Sequence, residues 1–141
     1  MNKEINYQEA AKIYNEVWNA VETINEIDNL KDATDTLKRI TSNTIRRLLD
    51  TCGVYYGLYE DYHDELYPIE VDVKKLEKEI GKITEISDYK ETLRRKPKIK
   101  KTTNEIETRE RIARRNMSSI KERILHLLQK ISEGNPIKLA S

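Results

Sequence analysis

Ala113, Met117, Ile120, Ile124, Leu127 and Ile131 step along the chain by 4, 3, 4, 3 and 4 residues. Only an α-helix gathers side chains so spaced onto one face, because 3.6 residues complete each turn. The spacing recurs near the other end, where Ala10, Ile13, Val17, Ala20, Ile24 and Ile27 step by 3, 4, 3, 4 and 3 and Tyr14, Trp18 and Val21 widen the stripe. Two further sets lie between them. One runs through Ala33, Leu37, Ile40, Ile45, Leu48, Leu49, Cys52, Tyr56, Tyr59 and Leu66, the other through Val73, Leu76, Ile80, Ile83 and Leu93.

These stripes predict four helices, over about 6–29, 32–66, 70–95 and 103–133. Pro68 is expected to end the second, since a proline inside a helix removes an amide donor and clashes with the preceding turn. Thr41-Ser42-Asn43 marks a place where that helix breaks or kinks, because these side chains compete for backbone hydrogen bonds. Pro97 closes the third. Thr102-Thr-Asn-Glu105 fits a capping box at the start of the fourth, and Gly134 with Pro136 fits its stop. Helices of these lengths measure roughly 35–50 Å. Short connections near residues 30, 68 and 98 favour antiparallel neighbours, so the expected fold is all-α, an elongated up-down-up-down four-helix bundle. It forms one domain over 1–141, with a basic loop at 94–102 and a short C-terminal tail at 134–141. A composition of 37% hydrophobic and 36% charged residues suits such helices, which need one apolar stripe and wide solvated faces.

Composition also narrows function. The single cysteine, Cys52, cannot form an internal disulfide, and no apolar run approaches the ~20 residues of a membrane span. The expectation is a cytoplasmic, intracellular protein with no membrane partner. No glycine-rich phosphate loop or Ser/His/Asp spacing is visible, and Cys52 lies on an apolar stripe where a thiol is inert. No catalytic residue and no cofactor is therefore expected. Glu60-Asp-Tyr-His63 has the Glu-x-x-His spacing of carboxylate-bridged di-metal bundles. Such a site needs the motif twice, and Glu122-Arg-Ile-Leu-His126 has the wrong spacing to be the second copy, so no metal is assigned.

Charge is distributed unevenly. Residues 1–93 carry 12 Lys and Arg against 20 Asp and Glu, a net of −8, whereas residues 94–130 carry 13 against 4, a net of +9. Three arginines of the basic half have a glutamate four residues earlier, Glu105 with Arg109, Glu107 with Arg111 and Glu110 with Arg114, the favourable orientation for helical ion pairs. Arg94, Arg95, Lys96, Lys98, Lys100 and Lys101 have no such partner, nor have Arg115, Lys121 and Arg123. Clustered cations on one element are the footprint of a polyanion, so these nine residues are the candidate contacts to nucleic acid or an acidic protein surface. The expectation is a non-enzymatic helical adaptor or small subunit. The alternative is a structural protein that forms a homo-oligomer, its acidic half meeting the basic half of a second copy in a coat, filament or complex.

Two local features complete the reading. Ile40-Thr-Ser-Asn-Thr-Ile-Arg-Arg-Leu-Leu49 resembles the Thr/Ser-x-x-Ile-Arg helix start in the small helical subunit of type III CRISPR effector complexes, over ten of 141 residues. The resemblance implies a nucleic-acid-handling assembly; a Tyr-Ala-x-Gly-Arg-like stretch expected further along that family is absent here. Secondly, in CGVYYGLYEDYHDELY the core side of a helical wheel takes Cys52, Tyr55, Tyr56, Tyr59, His63 and Leu66. Val54 and Leu58 face the other way and Gly53 and Gly57 leave a smooth strip between the two sides, a second face suited to close helix packing or a protein interface.

Overall fold

The computed structural model describes residues 6–53, 56–92 and 99–134, with side chains over 6–53, 60–87 and 103–134. Every regular element among them is helical. Helix α1 spans Tyr7–Glu22, α2 Leu30–Arg39, α3 Ile45–Thr51, α4 Tyr56–Thr92 and α5 Ile99–Gly134. Because α2 and α3 are joined by one widened turn, the chain makes four rods.

Side-chain caps start the first two helices. The Asn6 carboxamide accepts from the Glu9 amide and that of Asn29 from the Asp32 amide, both at 3.0 Å. Helix α1 ends at Glu22, short of the expected 29, and passes through a tight turn at Ile24–Glu26 that keeps Ile24 fully buried. Arg114 of α5 accounts for the early stop, since its guanidinium donates to the Ile27 and Asp28 carbonyls at 2.6 and 2.7 Å. These carbonyls are thereby satisfied without a helix around them.

At Thr41-Ser42-Asn43 the second rod stays helical but its α ladder is interrupted. Residues Ile40–Thr44 form one π turn between α2 and α3. Ile40 and Ile45, five residues apart, are both buried. In an α-helix that spacing would separate them by about 140°, whereas the i→i+5 turn stacks them on one face. The Thr41 hydroxyl donates to the Leu37 carbonyl at 2.9 Å and that of Ser42 to the Lys38 carbonyl at 2.6 Å, competition that favours loosening the ladder at this point.

The main departure from expectation follows. The second rod ends at Thr51, not at 66, and Pro68 lies inside α4. Gly53 has φ of 65°, the left-handed conformation that terminates helices and that only glycine adopts without strain. Its amide donates to the Asp50 carbonyl and that of Cys52 to the Leu48 carbonyl, each at 3.0 Å. Between the second rod and α4, Arg46 of α3 meets Glu70 at 2.7 Å and Lys38 of α2 meets Glu77 at 2.9 Å. Tyr62, Leu66, Ile69, Val73, Leu76, Ile80 and Ile83 are buried on α4, stepping by 4, 3, 4, 3, 4 and 3 straight through the proline. Pro68 costs about 3 kcal/mol in a helix interior, whereas each large apolar side chain kept on the stripe contributes roughly 1.5–3 kcal/mol. The five that follow Pro68 outweigh it. Pro68 and Asp64 are also exposed, so the Asp64 carbonyl that loses its amide donor lies on the solvent side.

The matching stripe of α5 is Ala113, Met117, Ile120, Ile124, Leu127, Leu128 and Ile131, all buried. The two longest helices, α4 and α5, share the largest interface, while α1 packs on α3 and α5, and α2 on α4. Helix α5 begins at Ile99, so Thr102 is inside it rather than capping it.

Candidate nucleic-acid interface

Three cations of the basic half are committed to carboxylates of the acidic half inside the chain. Arg109 donates to Glu79 of α4 at 2.8 Å and to Glu105 at 3.3 Å, Arg123 pairs with Asp72, and Lys130 pairs with Glu65. The hydrogen bond it donates to Glu79 holds the Arg109 guanidinium above its ordinary value, ahead of the opposing effect of burial. Of the three i,i+4 pairs expected on α5 only Glu105 with Arg109 forms. Arg114 turns to the Ile27 and Asp28 carbonyls instead, and Arg111 makes no ion pair among the described residues.

The nine candidate residues therefore divide. Arg94, Arg95, Lys96 and Lys98 lie outside the described residues, and Lys100 and Lys101 are in the first turn of α5, where side chains are not described. Arg115 is exposed and Lys121 half-exposed, and neither forms an ion pair among the described residues. Arg123 is spoken for by Asp72. Arg111, which the sequence reading set aside as paired with Glu107, is exposed. The sequence held a signal for this. Arg111 and Arg115 each stand two residues from the core residue Ala113, about 200° around the helix and so opposite the core, while Arg123 directly precedes Ile124 and flanks the seam.

A groove lined by Asp28, Lys31, Ile83, Ser87 and Glu110, among others, marks the level at which the α1–α2 connection crosses α4 and α5. From there α5 extends back eleven residues to Ile99 and α4 forward five to Thr92, roughly 16 and 8 Å of helix. In the sequence, residues 89–104 hold Lys90 and the six cations of 94–101 against one carboxylate, Glu91, a net of +6.

Other candidate chemistry resolves as packing. Cys52 is buried, and burial pushes its thiol up to about 11. His63 stacks on Tyr67, ring centroids 6.3 Å apart. Among the described residues no group of three or more His, Cys, Asp or Glu side chains is arranged to hold a metal ion, and no helix is long and apolar enough to cross a membrane. Of the proposed second face, Gly53 forms the turn described above, Val54 lies outside the described residues, and Gly57 and Leu58 start α4 without described side chains. The stretch Ile40–Leu49 is not a helix start, since it spans the π turn inside a continuous rod.

In comparisons with known proteins, no family model, no curated protein and no solved structure matches this chain. The local resemblance at Ile40–Leu49 accordingly carries no family assignment.

Proposed function

We propose that this protein is a non-enzymatic helical adaptor that binds the phosphate backbone of nucleic acid through the far end of α4 and α5. The contacts are Arg94, Arg95, Lys96, Lys98, Lys100 and Lys101, with Arg111 and Arg115 extending the surface along the outer face of α5. The observation that carries the reading is the division of α5's cations: those flanking the seam are neutralised by α4, while Arg111 and Arg115 have no ion-pair partner among the described residues. Charge left over after internal pairing is what a polyanion senses. The same ladder satisfies part of the −8 and +9 segments within one molecule, which leaves head-to-tail attraction between copies less charge to draw on.

The reading includes an antiparallel arrangement of the four rods. What supports it is the order of the cross-links. Tyr14 with Ser132 and Asn25 with Ser118 join α1 and the turn after it to α5; Lys38 with Glu77 and Arg46 with Glu70 join the second rod to α4; Glu79 with Arg109, Asp72 with Arg123 and Glu65 with Lys130 join α4 to α5. In every set residue numbers rise on one rod as they fall on the other.

The experiment is fluorescence anisotropy with a generic duplex and a generic single strand across a salt series. Neutralising about six phosphates on a duplex gives a log–log slope near −5, and reversing the six charges of 94–101 should flatten it. Binding with no salt-sensitive component, or a slope unmoved by that reversal, would reject the proposal.

A further inference from the structure

Gly81 sits in the middle of α4, exposed, and a Cβ built on it meets nothing within 4 Å. Neither a turn, a cap nor a close neighbour within the chain calls for glycine there, although glycine inside a helix is less stable than alanine. It lines an open groove between α2 and α4, of about 430 Å³, with Thr34, Ile80 and Thr84. A glycine in such a place suits the close approach of a second backbone.

The charges around it say which backbone. Lys74, Lys78, Gly81, Glu85 and Asp88 step by 4, 3, 4 and 3, which puts these register positions on one stripe of α4. That stripe is flanked by α2 on one side and lies away from α5, whose partners on α4 are Glu65, Asp72 and Glu79. Lys74, Lys78 and Glu85 are exposed and form no ion pair among the described residues. Two cations thus precede the glycine, by 7 and 3 residues, and two carboxylates follow it, by 4 and 7, mirrored to within one residue. Such a pattern is complementary to its own reverse. Laid antiparallel on a second copy with the two glycines facing, position 74 falls opposite 88 and position 78 opposite 84, one residue or about 1.5 Å of helix from 85.

We propose that a second copy of this chain docks on α4 about a two-fold axis at Gly81, Lys78 and Lys74 of each copy meeting Glu85 and Asp88 of the other. An isologous contact of this kind closes at two copies and forms no filament. Because it uses no residue of α5 and none of 94–101, it does not rest on the nucleic-acid reading, and each can fail alone. With mostly exposed ion pairs the association is weak and falls as salt rises.

The test is the mass of the full chain by sedimentation equilibrium at low salt, up to about 1 mM protein, the range in which weak complexes populate. A dimer is expected. Gly81→Leu should weaken it at least tenfold while circular dichroism and the melting temperature report an intact monomer, since the space around Gly81 is open. Lys74→Glu with Lys78→Glu, and separately Glu85→Lys with Asp88→Lys, should each be monomeric, and an equimolar mixture of the two should form a heterodimer. A wild-type chain that stays monomeric, a dimer that survives both charge reversals, or a mixture that fails to associate overturns the proposal.

Discussion

Pro68→Ala and Gly53→Ala should shift stability in opposite directions. Pro68 is exposed within α4, so alanine there removes no core contact and restores an amide that can donate to the Asp64 carbonyl. Alanine is favoured over proline in a helix interior by about 3 kcal/mol, and the freer unfolded chain takes back about 0.4–1 kcal/mol, leaving a net gain of about 2 kcal/mol. For a domain of this size that raises the melting temperature by roughly 6–8 °C. Gly53, by contrast, has φ of 65°, where a Cβ crowds the following carbonyl. Alanine there should cost about 1–2 kcal/mol. Urea denaturation followed at 222 nm measures both, with the slope of the transition checking that the unfolding reaction is unchanged. Had the chain run helical through Gly53 and turned at Pro68, the signs would reverse, because alanine would then favour a helix at 53 and would lose a preset turn at 68. A stabilised Gly53→Ala together with a neutral or destabilised Pro68→Ala would therefore refute the helix stop at Gly53 and the continuity of α4.

The remaining predictions concern side chains. Arg114→Ala should lose about 1.5–3 kcal/mol by leaving the Ile27 and Asp28 carbonyls without their charged donor, and Arg114→Lys should restore only part of it; urea melts of both decide. Arg123→Gln should cost under about 1 kcal/mol and leave the affinity for duplex within twofold, while Arg111→Glu with Arg115→Glu weakens it several-fold; the reverse ranking in anisotropy titrations would remove Arg111 and Arg115 from the interface. Cys52, its thiol pushed up to about 11, has about a thousandth of its population as thiolate at pH 8, so thiol reagents should label it only at the rate of opening. Fast labelling in native buffer would contradict its burial. Stability should also fall as pH rises from Cys52's ordinary 9.0 to about 11, the window in which the unfolded chain releases a proton that the folded one retains; replacing Cys52 with alanine should remove that contribution from the pH profile.

Helical identity was legible throughout, since an apolar residue every third or fourth position admits no other packed backbone. Ala113 to Ile131 are buried in the order their spacing implies, and so are Ala10 to Ile24 apart from Ala20, which is only half-buried. Cys52 and Leu66 were also assigned correctly to the core. The turns were harder to place. Gly53 and Pro68 are both legitimate stop signals, and reading the proline as the stronger one moved the reversal by about fifteen residues. The charge pattern showed a basic half but not which of its members were free. Arg123 and Arg111 belong to the same basic half and differ along the chain only in helical phase, yet one meets Asp72 across a helix interface and the other faces solvent.

The division follows from the range of the forces. Which residues form a stripe depends on 3.6 residues per turn, a local property carried entirely by spacing, so the amino-acid order alone determined four amphipathic rods and the gathering of positive charge near residues 94–101. Where a rod stops depends on whether the stripe beyond the stop signal finds a partner. Leu66 and Ile69 find the apolar seam shared with α5, and that burial outweighs a proline. Which cations remain available depends on carboxylates that are tens of residues away in sequence and under 4 Å away in space, and only the packing of α4 against α5 brings them together.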